Sequence, residues 1–273
     1  MEEFATGEKP ILEVRGLCKE FRQSGGVFRK ESTLSAVSDV SFDMHEGEIL
    51  SLLGESGCGK TTLARMLMHL IRPTAGKILL DGVEIQDMSE RRFRKIRRMI
   101  QMVYQNPFDC LDPSRRVSSL LEEPLKLWHP NLNADERKHR IGEMLSECGL
   151  DPACLQKRPA EFSGGQLQRL SIARALLVRP RLLIADEIVS ALDVPIQNQI
   201  LQLLMKMKDE YRFTVLFITH DLSVARKVSD RVMIMRLGRL AGIGPVRETL
   251  DASDDPYIQK LAASVFTFEG AVD

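Results

Sequence analysis

Three stretches of the 273-residue chain hold side chains at spacings that suit phosphate chemistry. The first, GESGCGKT (54–61), matches in full the phosphate-loop pattern in which Gly54 and Gly59 bracket four residues ahead of Lys60 and Thr61. Glycines there let backbone N–H groups converge on phosphate oxygens at a helix N-terminus, where the helix dipole favours anions. Lys60 would bridge the outer phosphates, and the Thr61 hydroxyl would bind Mg²⁺. The second stretch, LLIADEIVSALD (182–193), sets Asp186 and Glu187 side by side after four apolar residues. Like charges about 4 Å apart repel by about 1 kcal/mol in water and about 4 near a protein surface, so a cation is needed to justify them. Successive strand side chains point to opposite faces, which allows separate tasks. Asp186 would hold Mg²⁺, and Glu187 would orient or deprotonate an attacking water. The third, EFSGGQLQR (161–169), contains a capping box, Ser163 to Gln166, that opens a helix running to about Val178. Gly164 and Gly165 in its first turn are poor helix residues, costing up to about 1 kcal/mol each relative to alanine. Their bare backbone would let a second phosphate approach the N–H groups and the Ser163 hydroxyl.

The elements that must position these residues read as an α/β fold. Continuous apolar runs recur at 48–54, 100–105, 182–186, 214–220 and 231–235, as in strands of a largely parallel sheet buried on both faces. Helix-period segments, TTLARMLMHL (61–70) and Val194 to Lys208, lie between them. ILEVRGLCKEF and LSAVSDVSFDM, near the start, alternate as one-face-buried antiparallel strands do, with a solvated loop at 24–33 between them. From Pro107 to Ala160 the pattern is helical without strand runs. In NADERKHRIGEMLSECGL, Asn133 caps, and Ile141, Met144, Leu145 and Cys148 fall on one face. The expected organisation is one domain: 10–106 with 176–245 as β subdomain and nucleotide core, 107–175 as an inserted helical subdomain, and 246–273 as a tail.

Composition removes several classes. Lys+Arg and Asp+Glu both number 38, so the chain has no net charge to recommend a polyanionic partner. RRFRKIRR (91–98) is strongly basic, but Phe93, Ile96 and Met99 fall three apart as on an ordinary helix face, and no nucleic-acid partner is expected. Five cysteines without a C-x-x-C pair suit a reducing cytosol. The start, MEEFATGEKP, lacks the basic-then-apolar layout of a signal peptide, and no apolar run approaches the 18 or so residues of a membrane span. The expectation is a soluble intracellular protein whose membrane link comes through a partner.

Taken together, GESGCGKT, Gln105, SGGQ, LLIADE, SALD and the Thr219-His220 pair resemble the ATPase subunit of an ABC transporter, over most of the chain from Ile11 to Ala263. The resemblance implies a RecA-like P-loop core with an N-terminal antiparallel β subdomain and an inserted helical subdomain. It also implies a head-to-tail dimer that holds each ATP between one subunit's phosphate loop and the other's SGGQ. Gly54, Glu55, Ser56, Gly57, Cys58, Gly59, Lys60, Thr61 and Thr62 would then surround the phosphates, with Cys58 a small spacer. Ser163, Gly164, Gly165 and Gln166 would meet the opposite subunit's γ-phosphate. Gln105 matches the loop glutamine that touches Mg²⁺ and water and senses the membrane partner. Asp193 ends the loop that crosses the dimer, and His220 matches the switch histidine. A lone histidine after an apolar strand is more often structural; the accompanying motifs reverse that reading. Phe21 matches the aromatic that stacks on adenine, although an aromatic in an early strand is about as often core.

The finer resemblance is to importers of peptides and nickel chelates. QNPFDCLDPSRRV after Gln105 is similar to that group's stretch, with Asp112 in an asparagine place, and DPYIQKLAAS (255–264) is similar to its C-terminal His-Pro-Tyr segment, with Asp255 replacing histidine. Some members bind an iron–sulfur cluster through a cysteine-rich tail; no cysteine follows Cys154, so none is expected here. Ile188-Val189 replaces the usual Pro-Thr, which alters the stiffness of the turn and tilts the cargo faintly toward metal chelates. The resemblance thus implies transmembrane permease subunits, an extracytoplasmic substrate-binding protein, and a second ATPase chain, a different but similar one in preference to a second copy. It places the protein on the cytoplasmic face of the inner membrane. A soluble ABC ATPase of DNA repair or translation is the alternative, but the coiled-coil insert, zinc cysteines or tandem cassettes usual there are missing. A P-loop kinase would lack SGGQ and SALD.

Overall fold

The structure, a computed structural model, describes residues 9–23 and 32–269. They form two compact units, one made of the residues up to Arg94 and from Thr214 onward, the other of Lys95–Phe213.

The first unit begins with β1 (Leu12–Gln23), β2 (Ser32–Met44), β3 (Ile49–Leu53), α1 (Lys60–Leu67), β4 (Ala75–Leu80), β5 (Val83–Glu84) and α2 (Glu90–Ile96), within which the chain passes into the second unit. β1 buries Leu12, Val14 and Leu17 while Arg15 is exposed, and pairs antiparallel with β2 from Leu12↔Met44 to Gln23↔Ser32. Most of the loop expected at 24–33 lies outside the described residues; Ser32 and Thr33 belong to β2. β4 pairs antiparallel with the other side of β1, then turns into β5 through Asp81 and Gly82, both at positive φ, the aspartate–glycine pair that a tight hairpin favours. The helix expected over 61–70 stops at Leu67, because His69 takes left-handed backbone (φ 57°) and ends it.

The second unit carries β6 (Ile100–Val103), α3 (Val117–Trp128), α4 (Ala134–Glu147), α5 (Gly164–Leu176), β7 (Leu182–Asp186) and α6 (Val194–Tyr211). β6 and β7 pair in parallel, Ile100↔Leu182 to Val103↔Ala185, with only helical elements and turns between them. Asn133 caps α4 in a reciprocal capping box with Glu136, and α4 buries Ile141, Met144 and Leu145 as the periodicity requires. Cys148, its C-cap, is buried too.

The chain then returns to the first unit with β8 (Thr214–Ile218), α7 (Leu222–Val228), β9 (Arg231–Arg236), β10 (Arg239–Pro245), α8 (Val246–Asp251) and α9 (Pro256–Glu269). β3 lies between β8 and β9, parallel to both, and β10 returns antiparallel along β9. All of β3 and β8 is buried, which is why their sequences are continuous rather than alternating. Leu53, at the end of β3, shares one apolar cluster with Leu222, Val232, Ile234, Leu250, Tyr257 and Ile258, so α7, α8 and α9 close over that sheet. None of the described helices is long and apolar enough to cross a membrane.

Candidate active site

Burial of β3 fixes where its exit loop must turn, and the glycines allow it. Gly54 has φ 153°, and a Cβ there would meet the Met235 carbonyl oxygen at 2.3 Å; one at Gly59 (φ 113°) would meet that of Ala36 at 2.3 Å. Any side chain at either position would drive the loop off β9 or β2. The loop is further tied down where the Gly238 N–H donates to the Cys58 carbonyl at 2.9 Å. Lys60, buried despite its charge, donates to the carbonyls of Gly54 (2.6 Å) and Glu55 (3.0 Å), so its ammonium sits inside the loop. Thr61 is exposed and Thr62 half-buried in the first turn of α1. The Cys58 thiol is buried; burial raises its pKa, and the nearby Lys60 charge opposes that rise.

Two further candidates belong to this unit. His220 is exposed one residue past the buried Thr219, just before Asp221, whose carboxylate caps α7 through Ser223 and Val224. Phe21, 39% exposed, lies on β1 opposite Leu34, with the Lys19 ammonium 5.1 Å from the ring centre. A core aromatic would be covered; Phe21 is not.

The second unit assembles the acidic residues. β7 is buried through to Asp186, itself only 7% exposed. Strand alternation does not separate the two carboxylates as the sequence suggested. Glu187 has already left the strand, at φ 48°, and the left-handed turn redirects it. The Gln105 side-chain amide donates to the Glu187 carboxylate at 3.3 Å and to the Ser190 hydroxyl at 3.2 Å, and that hydroxyl donates to the Glu187 carbonyl at 2.9 Å. Gln105, Glu187 and Ser190 are therefore one hydrogen-bonded group. The sequence reading assigned Ser190 no role; its place in SALD three residues after Glu187 was the available signal. Ile188 and Val189 are buried, at 2% and 4% exposure, so this pair anchors the turn apolarly where a proline would have stiffened it.

At the start of α5, Ser163 accepts from the Gln166 N–H at 3.4 Å while the Gln166 side chain accepts from the Ser163 N–H at 3.1 Å. Ser163, Gly164 and Gln166 are exposed. Gly165 has a second reason for being glycine: a Cβ there would sit 2.6 Å from Ile196 Cγ2 on α6. Asp193 is exposed as the N-cap residue of α6, and makes no side-chain cap bond of its own. The buried Gln168 donates to the Tyr104 carbonyl at 3.4 Å, tying α5 to the residue before Gln105.

The glycine loop around Lys60 can bind phosphate, and the held Glu187 carboxylate can accept a proton from water. Residues 37–190 match the family model described as ABC transporter. The chain is 44% identical to the oligopeptide transport ATP-binding protein AppF of Bacillus subtilis, over 96% of this chain and 80% of that one. It is 41% identical to OppF of Haemophilus influenzae (93% and 78%), also an oligopeptide transport ATP-binding protein. With the di/tripeptide transport ATP-binding protein DppF of Pseudomonas aeruginosa the identity is 40% (93% and 78%). Among solved structures it resembles the dimeric post-hydrolysis state of the ATP-binding cassette MJ0796 bound to ADP and Pi, with TM-score 0.76 at 30% identity over 86% of this chain and 99% of that one. With a family model matching residues 37–190 and relatives 40–44% identical along most of its length, the chain belongs to the ABC transporter family as an ATP-hydrolysing subunit.

Proposed function

We propose that the protein energises the import of peptides through a membrane permease, binding ATP with Mg²⁺ and hydrolysing it in a head-to-tail dimer. The observation that carries the catalytic part is the Gln105–Glu187–Ser190 group, which holds a carboxylate by hydrogen bonds at a strand end beside the buried Asp186. Glu187 is the base that takes the proton from the attacking water, and Gln105 orients both. Gly54 to Thr62 hold the phosphates by backbone N–H groups and by the Lys60 ammonium, which exchanges its loop carbonyls for phosphate oxygens. His220 contacts the γ-phosphate, and Phe21 offers its exposed ring to adenine.

The Thr61 hydroxyl of the first unit and the Asp186 carboxylate and Gln105 amide oxygen of the second are each hard oxygen donors of the kind that suits Mg²⁺. When bound, the ion neutralises charge on the phosphate oxygens. Ser163, Gly164, Gly165 and Gln166, with Asp193, face the nucleotide of the opposite subunit. The exposure of Ser163, Gly164 and Gln166 at a helix N-terminus supports that reading.

The helical segment 107–160 is assigned to the permease contact, with Gln105 at its entry. The second ATPase chain is a different, similar one. A substrate-binding protein outside the membrane delivers cargo, and the protein sits at the cytoplasmic face of the inner membrane. Peptides are preferred to nickel chelates because the three relatives at 40–44% identity carry peptide transport in their names, whereas Ile188-Val189 is accounted for by packing. The test is ATP turnover by the complete transporter in vesicles supplied with its binding protein. Stimulation by di- to oligopeptides is expected; stimulation by nickel chelates and not by peptides would overturn the cargo reading.

A further inference from the structure

The segment DPYIQKLAAS plays no part in the chemistry above, yet it packs against the end of β3, from which the phosphate loop leaves. Asp255 caps α9, its carboxylate accepting from the N–H groups of Tyr257 (2.7 Å) and Ile258 (3.4 Å). An aspartate at this place thus sets the start of the helix and the direction of the residue two positions on. Tyr257 is buried at 8% exposure in the cluster that contains Leu53, the residue immediately before the loop. The Arg236 guanidinium covers its ring at 4.6 Å from the centre. Arg236 follows Met235, whose carbonyl oxygen Gly54 must clear. The Tyr257 hydroxyl is shielded from water and makes no hydrogen bond of normal geometry, although the Glu55 backbone N–H lies near it, as do the Glu55 carboxylate and Cys58. Burial and the negative charge of Glu55 raise its pKa, so it stays a neutral O–H.

A buried hydroxyl that is poorly paired is destabilising, and a phenylalanine would fill the same space without that cost. We propose that Tyr257 is a positioning residue for ATP: its ring, clamped by Arg236, supports the phosphate loop from behind, and its hydroxyl pairs with the Glu55 end of the loop when the loop closes on phosphates. The C-terminal helix α9 is then part of the nucleotide site although it touches no nucleotide. The inference rests on the reading of residues 54–62 as the ATP-binding loop.

The test uses Tyr257→Phe in the full chain, which removes the hydroxyl alone. Two quantities are read: the Kd for ATP with Mg²⁺ by direct binding and the Tm without nucleotide. The expected result is ATP binding weaker by about fivefold with a Tm unchanged or raised. An unchanged Kd overturns the proposal, and so does a Kd that weakens only together with a lowered Tm, which is what a purely structural tyrosine gives. Lys60→Ala is measured alongside. If it binds ATP as well as the parent, the loop assignment itself falls. If it loses ATP while Tyr257→Phe binds normally, only the role of Tyr257 falls.

Discussion

A carboxylate becomes a useful base when it is held, and Glu187 is held by a residue 82 positions away in sequence, Gln105. The motif spacing around Asp186 and Glu187 was legible because both follow a continuous apolar strand. The grip on Glu187 was not, since it depends on a left-handed turn at φ 48° and on Ser190, whose partners appear only once the chain is folded. Ser190→Ala removes an acceptor for Gln105 and a donor to the Glu187 carbonyl. It should lower kcat by about fivefold while leaving the Kd for ATP unchanged, as read from steady-state turnover beside direct binding. An equal loss in both quantities would instead place Ser190 in ground-state nucleotide binding. The thiols also separate by environment. Burial pushes Cys148 up to about 12, so it remains protonated and unreactive at pH 8, whereas Cys18 is only half-buried. Mapping of alkylated peptides at pH 8 should find Cys18 modified and Cys148 intact until denaturant is added.

At the scale of elements, the buried strands and the capped helices were readable because each is dictated locally, by a continuous apolar run or by a capping box such as Asn133 with Glu136. β4, β5 and β10 were not anticipated. AGKILL, VE and RLAGIGP mix exposed and buried positions, and their pairing is set by strands far away in sequence. Helix α4 offers a clean measurement. Gly142 lies in its interior, and a Cβ built there meets nothing within 4 Å. Gly142→Ala should therefore raise Tm by about 2–3 °C. Asn133→Ala should instead cost about 1 kcal/mol, because the side-chain oxygen that accepts from the Glu136 N–H is lost while the bond from the residue 133 N–H to the Glu136 carboxylate stays. The same region makes stability sensitive to alkali. Cys148 and Tyr211 both have raised pKa values, by burial first; for Tyr211 its hydrogen bond to Glu147 adds to the rise. Their neutral forms favour the folded state, so this contribution is complete below the ordinary thiol value of 9.0 and is lost as pH climbs toward 12. Melting curves should show Tm falling above about pH 9, less steeply in Cys148→Ala.

For the whole molecule, the family and the α/β fold were legible because several short motifs, each weak alone, occur in one order along the chain. What lies beyond the chain was less so: cargo and partners reside in other proteins, and peptide import is supported by relatives at 40–44% identity and by no single residue. The proposed dimer is testable on this chain with a second, similar ATPase chain. An arginine at the exposed cap of α5, Ser163→Arg, should block ATP-dependent association while leaving ATP binding to the same chain's phosphate loop intact. Association as tight as in the parent, followed by sedimentation with ATP, would remove SGGQ from the shared face. The central claim is that Glu187, held by Gln105 and Ser190, activates the water that cleaves ATP. Phosphate release by the assembled ATPase with Mg²⁺ and ATP, compared between the parent and Glu187→Gln, addresses it directly. The predicted result is a loss of turnover of about 100-fold or more with ATP still bound; turnover by Glu187→Gln at the parent rate would contradict the account.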